Sequence, residues 1–183
     1  MKRLNPLSWF VCAAMIAAAA AGGRAQKPAS VVSAKLLLAT TAVRPGETAK
    51  LAAVAKIASG FHINDHHPSE EYLIPTELKL NPSDQISVEK LVYPKGEAVK
   101  FPFSDTPLSV YQGTLTVGAL LKFVRSMPAG DLTLSGKFSY QACNDHECLP
   151  PTSVPVSITI QVVKPGTAVK PANREVFSHL KFN

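Results

Sequence analysis

Between residues 132 and 142 apolar side chains fall at alternate positions. Leu132, Leu134, Phe138, Tyr140 and Ala142 are interleaved with Thr133, Ser135, Lys137, Ser139 and Gln141. A period of two sends the two sets to opposite faces of an extended chain, so the segment predicts a strand with one buried and one wet face. Val154, Val156, Ile158, Ile160 and Val162 alternate with Pro155, Ser157, Thr159 and Gln161, which predicts a second such strand after a Pro-rich loop. Further strands are predicted over residues 33–43, 47–57, 72–80, 86–93 and 114–124, with Arg44-Pro45-Gly46-Glu47 and Pro94-Lys95-Gly96 as turns. No long stretch carries helical periodicity. About seven short strands without crossover helices predict an all-β fold, a single antiparallel β-sandwich over residues 31–163.

The first 25 residues follow a different pattern. Lys2 and Arg3 precede an apolar run from Leu7 to Ala21, and Gly23-Arg24-Ala25 places small residues at the −3 and −1 positions of a cleavage site. This is the layout of a secretory signal peptide cut between Ala25 and Gln26, and the run is shorter than the roughly 20 residues that span a bilayer. Periplasmic or otherwise exported localisation follows, with no stable membrane insertion after cleavage. Cys12 lies in the apolar run and leaves with it. Cleavage also removes three of the 19 Lys and Arg and none of the 13 Asp and Glu, leaving a formal charge of +3. With no clustered Lys and Arg in the mature chain, nucleic acid is excluded as a partner. Beyond Val163, Lys164-Pro165-Gly166 and Lys170-Pro171 open residues 164–183, read as a C-terminal tail with a loosely docked end.

Two segments interrupt the strand pattern, and irregular segments on a rigid scaffold are where function concentrates. One is Gly60-Phe61-His62-Ile63-Asn64-Asp65-His66-His67-Pro68; the other, Phe101-Pro102-Phe103-Ser104-Asp105-Thr106-Pro107, is loop-like yet carries two aromatics.

Two cysteines remain in the mature chain, Cys143 and Cys148, in Tyr140-Gln141-Ala142-Cys143-Asn144-Asp145-His146-Glu147-Cys148-Leu149-Pro150-Pro151 between the two clearest strands. If those strands form a hairpin, the sulfurs lie across its neck within reach of each other. Three readings stand. As a staple, the bridge would contribute about 2.2 kcal/mol for six residues against about 4.7 for a loop of 100, so this is a poor place for one. As an exchange couple, two sulfurs close in sequence and near the surface let a partner thiolate attack one while the other resolves the mixed disulfide. As a metal site, for a copper or zinc carrier, Cys143, His146 and Cys148 would act with His62, His66 or His67, but the spacing lacks the paired C-x-x-C of structural zinc sites. His146, when protonated, would favour a thiolate; Asp145 and Glu147 would oppose one. Pro150 and Pro151 stiffen the exit.

Gly60-Phe61-His62-Ile63, Tyr93-Pro94-Lys95-Gly96, Val110-Tyr111-Gln112-Gly113-Thr114-Leu115-Thr116 and, most specifically, Tyr140-Gln141-Ala142-Cys143 with Cys148-Leu149-Pro150-Pro151 carry a resemblance. Residues 31–163 resemble the N-terminal periplasmic domain of the thiol:disulfide interchange protein DsbD. The resemblance implies an immunoglobulin-like sandwich without a cofactor, whose cysteine pair carries electrons from a membrane thiol:disulfide transporter or a thioredoxin-like protein. The acceptors it implies are periplasmic disulfide isomerases and the thioredoxin-like proteins of cytochrome c biogenesis. Cys148 would form the mixed disulfide and Cys143 resolve it. A short cap loop with an aromatic covers the disulfide in that family, which makes Phe103 the candidate lid and Phe101 the second choice, flanked by His62, Asn64, His146 and Tyr140. The chain departs from the family in two respects: the cysteines stand one residue closer, and His62 and Asn64 take places near which the family has tyrosines. Nothing after Val163 resembles a membrane or thioredoxin-like domain, so the resemblance implies a module reduced by another chain. A non-enzymatic immunoglobulin-like binding module with a structural disulfide is the alternative.

Overall fold

The computed structural model describes residues 30–182; the proposed signal peptide, with Cys12, lies outside the described residues. In chain order the strands are β1 (Val32–Leu38), β2 (Thr48–Ile57), β3 (His62–Asn64), β4 (Glu77–Leu80), β5 (Ile86–Val92), β6 (Glu97–Val99), β7 (Leu108–Tyr111), β8 (Thr114–Phe123), β9 (Gly130–Tyr140), β10 (Ala142–Cys143) and β11 (Thr152–Val162). One helical turn, α1 (Arg174–Phe177), follows them. Three antiparallel sheets form, in the orders β1-β2-β8-β5, β11-β9-β4 and β10-β3-β7-β6.

The alternating residues do what their period requires. Leu134, Phe138, Val156 and Ile160 from the β9–β11 pair meet Leu36, Leu51, Ala53, Leu115, Leu121 and Phe123 from the first sheet in one buried core. Each large apolar side chain removed from water there contributes about 1.5–3 kcal/mol. This is the all-β, immunoglobulin-like sandwich that the pattern and the resemblance pointed to.

The central strands β2 and β8 are buried on both faces. Their outer face is covered by the C-terminal segment: a Cβ on Gly118 would lie 2.8 Å from the Phe182 ring and 3.3 Å from Leu180. Lys50 Nζ sits 4.9 Å from the centre of that ring, a cation–π contact. The tail is held along its length, more firmly than the expected loose end. The Ala172 N–H donates to Ala39 O at 2.8 Å, Thr41 N–H to Lys170 O at 2.9 Å, and Asn173 Nδ2 to Leu38 O at 2.8 Å.

The same bonds explain why β1 stops at Leu38 instead of reaching residue 43. The backbone beyond Leu38 is satisfied by the tail and by β11, where Val43 N–H donates to Gln161 O at 2.9 Å. The strand expected over 72–80 is likewise shortened to β4. Residues 72–76 form an irregular approach braced by Asn64, whose Nδ2 donates to Ile74 O at 2.9 Å and whose carbonyl accepts from Thr76 Oγ1 at 2.6 Å. Four short strands, β3, β6, β7 and β10, lie outside the predicted set and make up the third sheet.

Candidate functional site

The β9–β11 ladder closes at Tyr140 opposite Thr152. Continuing its register would set Gln141 and Ala142 against Pro151 and Pro150, which have no N–H to donate. The ladder therefore ends, and the chain crosses to the third sheet, where Ala142 pairs with Ile63 and Cys143 with His62. Strands β9 and β11 do form a hairpin and the sulfurs do reach each other across it, one step beyond the end of the ladder. They close a smaller hairpin beyond it, in which Leu149 N–H donates to Ala142 O at 2.8 Å and Asn144 N–H to Glu147 O at 2.9 Å. Asn144 Oδ1 accepts from the N–H groups of His146 (2.8 Å) and Glu147 (2.9 Å), which fixes the turn.

Cys143 and Cys148 are joined by a disulfide, with their Cα atoms 4.0 Å apart. The two sulfurs sit in different surroundings: Cys143 is buried, at 2% exposure, while Cys148 is an exposed residue. The residue at one end of the bridge is therefore accessible and the residue at the other is not.

The aromatic loop comes up to the Cys148 end of the bridge. Phe101 is buried against Leu108, Val110, Leu73 and Val99 in a small core of its own, separate from the main one. Its ring stacks on His62, with centroids 4.1 Å apart, and on its other side Phe103 stacks at 5.2 Å. Phe103 is half exposed and shares a shallow hollow with His146, Glu147 and Cys148. A file of three rings thus runs from the residue opposite the buried sulfur to the edge of the exposed one.

His62 itself is 3% exposed. Burial pushes its imidazole below the ordinary value of 6.5, with the Asp145 carboxylate pulling partly the other way, so the ring is neutral at pH 7.

The other expected neighbours have different places. Tyr140 is buried in the main core, tilted against Phe138, with its hydroxyl 3.4 Å from Ser30 Oγ. Asn64 braces residues 74–76, as described above, through hydrogen bonds to backbone and lies on the strand that carries His62. His146 is exposed on the turn. His66 is engaged elsewhere, stacked on Tyr93 at 3.6 Å with Nδ1 2.9 Å from Thr76 O. Among the described residues no group of three or more His, Cys, Asp or Glu is arranged to hold a metal ion.

One cluster beside β3 carries no signal in the sequence. The Asp65 carboxylate accepts hydrogen bonds from Tyr111 Oη (2.5 Å), Ser109 Oγ (2.6 Å), Gly96 N–H (3.0 Å) and His67 N–H (3.2 Å). Burial would raise its pKa, but these four donors together hold it below the usual carboxylate value. Gly96 is required by that approach, since a Cβ there would stand 2.5 Å from the carboxylate. Burial and the bond to Asp65 push the Tyr111 phenol up, so it stays a donor. The cluster ties β7 and Gly96 to the segment just after β3, the strand that carries His62.

No helix among the described residues is long and apolar enough to cross a membrane. None of the curated proteins matches the chain. Among solved structures, the N-terminal periplasmic domain of ScsB from Proteus mirabilis is 15% identical, with a TM-score of 0.48 over 81% of this chain and 52% of that one. The chain thus spans about half the length of that structure. The DsbD N-terminal domain in its complex with the PilB N-terminal domain, from Neisseria meningitidis, is 17% identical, with a TM-score of 0.39 over 67% of this chain and 81% of that one. The family described as thiol:disulfide interchange protein DsbD, N-terminal, matches residues 32–159. That match spans well over half of the sequence, and the chain belongs to the family of DsbD N-terminal domains.

Proposed function

We propose that the chain is an exported, periplasmic thiol:disulfide exchange module that works through the Cys143–Cys148 couple. The observation that carries this reading is the asymmetry of the bridge: it joins an exposed residue, Cys148, to a buried one, Cys143, in a six-residue loop beside the half-exposed Phe103. In the reducing direction, the Cys148 thiolate attacks a disulfide sulfur of the acceptor. A mixed disulfide forms, and the acceptor's first thiolate leaves. The Cys143 sulfur then attacks Cys148 Sγ, the Cys143–Cys148 bond forms, and the electron pair departs on the acceptor's second sulfur, which takes a proton. Two electrons pass from the dithiol to the acceptor.

Membership in the family supports a membrane thiol:disulfide transporter or a thioredoxin-like protein as donor, and a periplasmic disulfide isomerase or thioredoxin-like protein as acceptor. The half-exposed Phe103 has the place of a lid that a docking partner displaces, with Phe101 as its base.

The reduction potential of the couple tests the proposal. A value above about −300 mV, within reach of periplasmic partners, is expected; one below that, with no mixed disulfide trapped on Cys148 in a Cys143→Ala variant, would mark an inert bridge. A Cys143→Ser, Cys148→Ser variant that kept full biological activity would favour the binding-module reading instead.

A further inference from the structure

Closing the disulfide requires the Cys143 thiol to lose its proton, and the structure makes that difficult. Burial in apolar surroundings raises the pKa of a thiol, and Cys143 is 2% exposed. A base has to stand inside the protein.

On an antiparallel ladder, residues directly opposite each other have Cβ atoms about 4.5–5.5 Å apart on the same face of the sheet. His62 is the residue opposite Cys143. The hollow around its ring is lined by Gly60, Phe61, Phe101, Gln112 and Asp145. Asp145, from the cysteine turn, is the charged group that faces it, and the others are apolar or neutral. The stack with Phe101 holds the ring's orientation and keeps water off one face. A neutral imidazole beside a buried thiol is the side chain best matched to accept a proton near neutral pH, whereas carboxylates on the exposed turn are weaker bases.

We propose that His62 takes the proton from the Cys143 thiol as that sulfur attacks Cys148, and returns it when an incoming thiolate reopens the bond. In the closing step the Cys143–Cys148 bond forms, the bond from Cys148 to the acceptor breaks, the electron pair leaves on the acceptor sulfur, and the Cys143 proton moves to the free imidazole nitrogen. This role rests on the exchange reading above and adds to it a named proton acceptor.

The reaction of the reduced protein with the aromatic disulfide 5,5′-dithiobis(2-nitrobenzoate) separates the two. Attack by exposed Cys148 releases one thionitrobenzoate, and closure by Cys143 releases the second. In His62→Gln the first release keeps its rate, and the second slows on the order of 10²-fold at neutral pH. In the native protein the second rate should fall as pH drops through a value below 6.5, the range to which His62 is shifted. In the variant it should follow the thiol's own titration, near or above about 8.5. A second release in the variant within about twofold of native, with an unchanged pH profile, overturns the role of His62. Should the variant not fold, the native protein decides: the inflection of the second rate must coincide with the His62 ring titration followed by NMR, and a mismatch overturns the proposal. If the native protein releases no second thionitrobenzoate, the exchange reading itself falls.

Discussion

Reduction of the bridge should leave the fold standing. The disulfide closes a loop of six residues, and loop-closure entropy for that length corresponds to about 2.2 kcal/mol. The small hairpin keeps its other ties when the bond opens: the Leu149 to Ala142 bond, the Asn144 turn and the pairing of β10 with β3. Neither cysteine is itself a member of the main core cluster, although their neighbours Ala142 and Leu149 pack in or against it. For a domain of this size about 2 kcal/mol lowers Tm by roughly 4–9 °C. By the thermodynamic cycle the folded couple should lie about 50 mV below the same bridge in the unfolded chain. Calorimetry and urea unfolding with and without dithiothreitol measure the first quantity, and equilibration with glutathione, native and in urea, the second. A loss on reduction above about 5 kcal/mol, or disappearance of the cooperative transition, would show a bridge on which the fold depends, and a module that unfolds whenever it is reduced cannot cycle.

Phe103→Ala should speed reduction of the disulfide by dithiothreitol several-fold while costing less than about 1 kcal/mol, because half of the ring is already in water; an unchanged rate would remove Phe103 as a lid. Phe101→Ala, by contrast, should cost about 3 kcal/mol or more in urea unfolding, as a buried ring beneath the cap. Asp65 has a folded pKa below its ordinary value of 3.8, so its contribution is complete above 3.8 and is lost as pH falls through the folded value. Asp65→Asn should therefore destabilise by about 1–3 kcal/mol at neutral pH and flatten the acid limb of the unfolding curve, leaving the neutral region parallel to native. Gly118→Val should expel Phe182 from the outer face of β2 and β8, read as faster proteolysis of the tail with the core transition retained.

The strands long enough to repeat their pattern were legible: β2, β5, β8, β9 and β11 all carry seven or more residues, and alternation within β9 and β11 marks the core face. The third sheet was not, because strands of two to four residues show no period and exist only through pairing with distant segments. The cysteine couple could be found because both sulfurs fall in one loop. What surrounds it could not: that His62 stands opposite Cys143 depends on a chain crossing between sheets. Pro150 and Pro151 hint at that crossing by refusing the ladder, but the partner strand has no local signature. Asp65 was hidden for a similar reason, since its donors come from three separate segments. Tyr140, three residues before Cys143, has its ring in the main core.

Because β10 is held to β3 over only two residues, the reactive hairpin and the large sheets need not melt together. Amide protons at Ala142 and Leu149 should exchange with deuterium through small, local excursions while β9 and β11 exchange only by global unfolding.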